Sequence, residues 1–135
     1  MISIDTNILL RFLLDDHPAL SAQARRIIGT QHCHVGLLTL AETGFVLVSF
    51  YRASKTELVR SARALLDVPT LAFEREERLP AALDAVASGM DWFDALLWAG
   101  SPTDQPLASF DRDFVRRAAK MGLPPRVELL LPAQA

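Results

Sequence analysis

The sequence predicts an α/β fold, a short central parallel β-sheet flanked by helices. Two observations predict it. Short β-branched or apolar segments alternate with longer segments of helical period, the pattern that gives strand–helix–strand crossovers rather than hairpins. The helical segments carry start and stop signals of their own, among them Pro18, the Ser54–Glu57 capping pattern and Gly89. A length of 135 residues, half of them apolar, fits one domain over 1–135 and excludes a disordered chain.

The elements follow in order. Ile2–Ile4 reads as the first strand, and Thr6 as the N-cap of a helix over Ile8–Leu14. Pro18 opens a second helix to about Ile28, with Gly29 as its stop. His32–Gly36 is a short second strand, and Thr39–Tyr51 an apolar helix with one acid, Glu42. Ser54-Lys55-Thr56-Glu57 is a capping box for a helix running to Leu66. Thr70–Phe73 is a third strand. An Ala-rich helix follows Pro80 and ends at Gly89, and Asp91–Gly100 forms another. Leu107–Phe110 is a fourth strand, Asp111–Met121 a basic amphipathic helix, and Val127–Leu131 a last edge strand. No internal repeat or linker divides the chain.

Composition removes several function classes. The 14 Lys and Arg stand against 16 Asp and Glu, a net charge of −2, so a broadly electrostatic nucleic-acid binder is not expected. One cysteine, Cys33, allows no internal disulfide and is expected to pack in the interior. No cationic leader precedes the first strand, and no apolar stretch approaches the roughly 20 residues that span a bilayer. The expectation is an intracellular, cytoplasmic protein with no membrane partner.

The acids fall where an α/β fold places chemistry, beyond the carboxyl ends of strands. Asp5 follows strand one, and Asp111 and Asp113 follow strand four. Asp91 and Asp94 share a direction at the start of an apolar helix, being three residues apart. Glu42, among Leu38, Leu40 and Phe45–Val48, has little reason to exist unless exposed or satisfied. Gathering Asp5, Glu42, Asp94 and Asp111 would be costly without a counter-charge, since like charges raise one another's pKa. A hard divalent cation, Mg²⁺ or Mn²⁺, prefers such oxygen ligands and can activate water against a phosphodiester.

These segments resemble the PIN domain family. Ile4-Asp5-Thr6-Asn7, the lone Glu42, Asp91-Trp92-Phe93-Asp94-Ala95-Leu96-Leu97 and Ser109-Phe110-Asp111-Arg112-Asp113-Phe114 occur in the family's order and at about its spacing. Within it, the chain resembles the small VapC-type ribonuclease toxins of toxin–antitoxin pairs. The resemblance implies a single PIN-like domain and metal-dependent endonucleolytic cleavage of RNA. It implies Asp5, Glu42, Asp94 and Asp111 as catalytic and Mg²⁺- or Mn²⁺-binding acids, with Asp113 replacing or assisting Asp111. Thr6, Asn7, Ser109 and Asp91 would support them from behind. A homodimer and a small cognate antitoxin are the implied protein partners. Arg11, Arg112, Arg116, Arg117 and Lys120 are candidates for phosphate contact.

Each residue also has an ordinary reading. Asp5 serves as a helix-N-terminal acid, Asp91 and Asp111 as N-caps, and Asp94 and Asp113 as first-turn acids. The basic set on the last helix is by default a solvated face. Trp92, Phe93 and Trp98 are expected in the core or at a dimer face, and His32 and His34 on a polar strand face, too few for a zinc site. The alternative class is a receiver-like or other non-catalytic Mg²⁺-binding regulatory module. Against it, the end of strand one has a single acid, Thr70–Phe73 is followed by Glu74, and no Lys ends a late strand. A dehalogenase-type phosphatase would need a second Asp where Asn7 stands.

Overall fold

The computed structural model describes residues 1–133. The chain is an α/β protein with seven α-helices among the described residues, and every strand pairing is parallel. It forms two compact units, Met1–Glu77 and a second beginning at Arg78. The pairing is correspondingly divided into a three-stranded ladder and a two-stranded one.

In the first unit, β1 (Ile2–Ser3), β2 (Cys33–Val35) and β3 (Leu71–Phe73) lie in that order. Ile2 pairs with Cys33, Cys33 with Leu71, and Val35 with Phe73. Parallel neighbours require crossovers, and helix pairs supply them. α1 (Thr6–Leu13) and α2 (Pro18–Thr30) link β1 to β2; α3 (Leu37–Ser49) and α4 (Lys55–Leu66) link β2 to β3. The central strand buries Cys33 and Val35 completely, as expected for the cysteine, whose thiol pKa burial pushes up. Leu9, Ile28, Leu40, Leu47, Leu58 and Leu65 complete this core.

Three helix starts and stops differ from expectation. Asp5, not Thr6, is the N-cap of α1: its Oδ1 accepts from the Ile8 amide at 3.0 Å, while Thr6 is the first helical residue and is buried. Gly29 does not stop α2. Glycine ends helices by taking a left-handed conformation, which Gly29 does not adopt, and the chain leaves the helix in extended geometry at Gln31. α3 begins at Leu37 because Glu74, just after β3, accepts from the Leu37 amide at 2.9 Å. A cap supplied from 37 residues away leaves no local signal. The α4 capping box is present in full, with Ser54 and Glu57 exchanging side chain-to-backbone bonds at 3.1 Å.

A 3₁₀ turn at Glu76–Arg78 leads into the second unit, which contains α5 (Leu79–Ala87), α6 (Trp92–Gly100), β4 (Leu107–Ser109), α7 (Arg112–Met121) and β5 (Val127–Leu129). β4 and β5 pair in parallel through α7, Leu107 opposite Val127 and Ser109 opposite Leu129. Its core is Leu79, Leu83, Val86, Met90, Trp98 and Phe114. Trp98 is fully buried: its indole N–H donates to the Pro125 carbonyl at 3.1 Å and the Arg78 guanidinium stacks 4.0 Å over its ring. Trp92 is also buried, whereas Phe93 is exposed. Gly122, at φ +67°, ends α7 as a left-handed residue.

Candidate functional site

In the first unit the site residues collect at the start of α1 and along α3. Asp5 is held by its capping bond, and Asn7 is exposed one turn-step on. Glu42 is exposed, which resolves the puzzle of an acid in so apolar a helix: α3 turns Glu42, Leu38 and Phe45 to solvent and Leu40, Thr43 and Leu47 to the core. Asp5, Thr6, Asn7, Arg11 and Glu42 line one open groove of about 620 Å³, whose far wall is Leu38, Val46, Phe50 and Tyr51.

Arg11 is fixed in this groove by a partner the sequence did not suggest. Its Nη1 donates to Asp16 at 2.6 Å, and the other oxygen of Asp16 accepts from the Tyr51 hydroxyl at 2.7 Å. The Tyr51 hydrogen bond, then Arg11, hold the Asp16 carboxyl below its ordinary pKa; the Asp16 bond holds the Tyr51 phenol above its own. Asp16 lies five residues after Arg11, within reach of inspection, but Tyr51 is 35 residues further and gave no local signal.

In the second unit Asp91 caps α6, accepting from the Asp94 amide at 3.1 Å, and Asp94 sits half-buried in the first turn. Asp111 caps α7, its Oδ1 taking both the Asp113 amide at 2.9 Å and the Phe114 amide at 3.2 Å. The Asp111 amide donates to Ser109 Oγ at 3.0 Å, so Ser109 braces the backbone that carries Asp111. Burial, then the charges of Asp91, Asp111 and Asp113, push the Asp94 carboxyl above its ordinary pKa. Asp113 behaves oppositely. Arg116 and Arg117 both bind it, Arg117 Nε at 2.9 Å, and hold its pKa down. Arg116 is thus committed to Asp113, while Arg112 and Lys120 are exposed on the same helix.

The donor set is all carboxylate oxygen, the chemistry that suits Mg²⁺ or Mn²⁺. Among the described residues no three His, Cys, Asp or Glu side chains converge closely enough to hold an ion. The hydrogen bonds show where the carboxylates are turned instead: Asp5, Asp91 and Asp111 toward the amides they cap, and Asp113 toward its arginines. Asp111 takes both of its amides on a single oxygen. Burial first, and then the charges of neighbouring acids, disfavour a charge on Asp94, and a cation would offset both. The residues therefore fit a hard divalent ion in kind and charge.

The chain belongs to the PIN domain family, which it matches over residues 2–120, a stretch that runs through both units. Members of this family are typically metal-dependent nucleases, many of them linked to toxin–antitoxin pairs. No curated protein and no solved structure matches the chain. No helix among the described residues is long and apolar enough to cross a membrane.

Proposed function

We propose that this chain is a metal-dependent endoribonuclease and the toxin of a VapC-type toxin–antitoxin pair, acting in the cytoplasm as a single PIN domain over 1–135. The family match carries this reading, and Asp94, where burial and then the charges of neighbouring acids disfavour an unpaired carboxylate, supports it with a local reason for a cation. It favours an enzyme over a receiver-like module.

In this reading Asp5, Glu42, Asp94 and Asp111 are the metal-holding carboxylates. Asp113 serves as a support, because its oxygens are occupied by Arg116 and Arg117. Bound Mg²⁺ or Mn²⁺ would supply a low-pKa water and offset charge developing on the phosphodiester. The chain's own contribution is orientation. Capping bonds fix the Asp5, Asp91 and Asp111 carboxylates against helix N-termini, and Ser109 fixes the turn before Asp111. Arg11, held by Asp16, and the exposed Arg112 and Lys120 are the cations offered to phosphates.

The protein partners rest on surface chemistry. α3 exposes Leu38, Phe45 and Val48, and its C-cap Phe50 adds to them, an apolar face suited to a second copy or to a small antitoxin. The test is cleavage of total RNA with Mg²⁺ or Mn²⁺, with EDTA and with Asp94→Asn. Metal-dependent products lost in the variant are expected; cleavage that survives both EDTA and the substitution overturns the proposal.

A further inference from the structure

We infer that Arg117 is a positioning residue that braces the two acid-bearing segments of the second unit, and that Gly89 is glycine to let it through. Arg117 Nη1 donates to the Ser88 carbonyl at 2.9 Å, and its Nε donates to Asp113 Oδ2 at 2.9 Å. Ser88, the C-cap of α5, and Gly89 after it lie three and two residues before Asp91, the cap that holds Asp94. Asp113 lies in the first turn of α7, its amide bonded to Asp111. One guanidinium therefore ties the lead-in to Asp91 and Asp94 to the helix start that carries Asp111.

Gly89 is fitted to this strap in two ways. Its φ of +120° is a conformation that side-chain-bearing residues rarely adopt. A Cβ built there would overlap Arg117 Nη1 and lie 2.7 Å from Cζ, so any other residue displaces the guanidinium. Arg117 is the more buried of the two arginines on Asp113, 27% exposed against 60% for Arg116, which binds the other oxygen. Arginine suits the role because its planar fork donates in two directions at once, which a lysine ammonium on a flexible stem does not reproduce.

This inference rests on the metal reading for its consequence, though not for its geometry. Outer partners that orient ligating carboxylates typically set metal affinity by about 10- to 100-fold. The experiment uses the full chain and Mn²⁺ alone as probe. Mn²⁺ affinity is measured by calorimetry, and amide hydrogen exchange is measured on metal-free protein, for wild type, Arg117→Met, Arg117→Lys and Gly89→Ala. Arg126→Met serves as a control of equal charge change, since Arg126 is exposed and pairs with Glu128, which is not one of the proposed metal-holding acids.

Arg117→Met is expected to weaken Mn²⁺ by about 10-fold or more and to speed exchange at both Gly89–Asp91 and Asp113–Phe114. Arg117→Lys should fall between Arg117→Met and wild type. Gly89→Ala should weaken Mn²⁺ comparably, and adding it to Arg117→Met should change little more, because both remove one interaction. If both variants bind Mn²⁺ as Arg126→Met does, the brace is refuted. If wild type binds no Mn²⁺, the metal reading fails, and the exchange data decide the brace by themselves. Should Arg117→Met fail to fold, Arg117→Lys and Gly89→Ala carry the same decision.

Discussion

Asp5 is both the N-cap of α1 and a proposed metal ligand, and two substitutions separate these roles. Asparagine caps a helix about as well as aspartate, so Asp5→Asn keeps an oxygen to accept from the Ile8 amide and loses only the charge. The lost attraction to the helix N-terminus is worth at most about 1 kcal/mol at an exposed position. Asp5→Ala loses the bond as well, at about 1 kcal/mol more. With an unfolding entropy of roughly 2.1 cal/mol/K per residue, each kcal/mol lowers the melting temperature of a chain this long by about 3–4 °C. Removal of a ligand carboxylate, worth several kcal/mol to a developing phosphodiester charge, should cost about 100- to 1,000-fold in rate.

The expected pattern is therefore dissociated. Asp5→Asn should melt within about 4 °C of wild type and lose nearly all Mg²⁺-dependent RNA cleavage, while Asp5→Ala should lose the same activity and melt lower still. Thermal melts by circular dichroism, beside cleavage of total RNA at matched protein concentrations, read both quantities. Full cleavage by Asp5→Asn would refute Asp5 as a ligand. Collapse of the fold in Asp5→Asn would refute the claim that its structural work is done by a hydrogen bond alone.

Three further outcomes follow from the same geometry. The Asp16–Tyr51 bond should stabilise the chain only between two limits. It is present above the ordinary Asp range and lost as pH falls through the lowered Asp16 pKa; at the other end it is lost as pH rises through the raised Tyr51 pKa. Asp16→Asn and Tyr51→Phe should flatten both limbs of a melting-temperature profile against pH, and unchanged limbs would sink the assignment. Asp94→Asn should raise the melting temperature at neutral pH while abolishing cleavage, since burial and then neighbouring acids disfavour a charge there in the folded chain; a lower melting temperature would contradict that. Ser54→Ala should cost about 1 kcal/mol by removing half of a capping box, read as a lower urea midpoint with unchanged cleavage.

Much of this was legible in the sequence because it is local. The period and the capping signals place the seven helices and the short strands of the described residues, and Ser54–Glu57 forms the box its spacing predicts. The acids could be named for the same reason, since each sits next to a strand end or helix start. What escaped inspection is what the chain supplies from a distance. Glu74 sets the start of α3, Tyr51 completes the Arg11–Asp16 pair, and Arg117 reaches back to Ser88 across 29 residues. Gly29 misled because a glycine stops a helix by taking a left-handed φ, not by its identity, and Gly29 does not take one.

The ordinary and the functional readings of the acids turn out not to compete. Asp5, Asp91 and Asp111 are caps, as their positions before helices allow, and the capping bonds of each fall on one carboxylate oxygen: Oδ1 of Asp5 and Asp111, Oδ2 of Asp91. A helix start that presents a carboxylate in this way fixes its orientation through one oxygen and leaves the second to be directed at a ligand. The acidic net charge of −2 follows from the same arrangement. Taking Asp5, Glu42, Asp94 and Asp111 from the 16 acids leaves 12 against 14 basic side chains, so the rest of the molecule carries a small positive surplus. Under the proposed function, an anionic substrate would be met by local cations rather than by bulk charge. Affinity for RNA should accordingly be modest and fall with salt, with a slope reflecting the few phosphates that Arg11, Arg112 and Lys120 can reach.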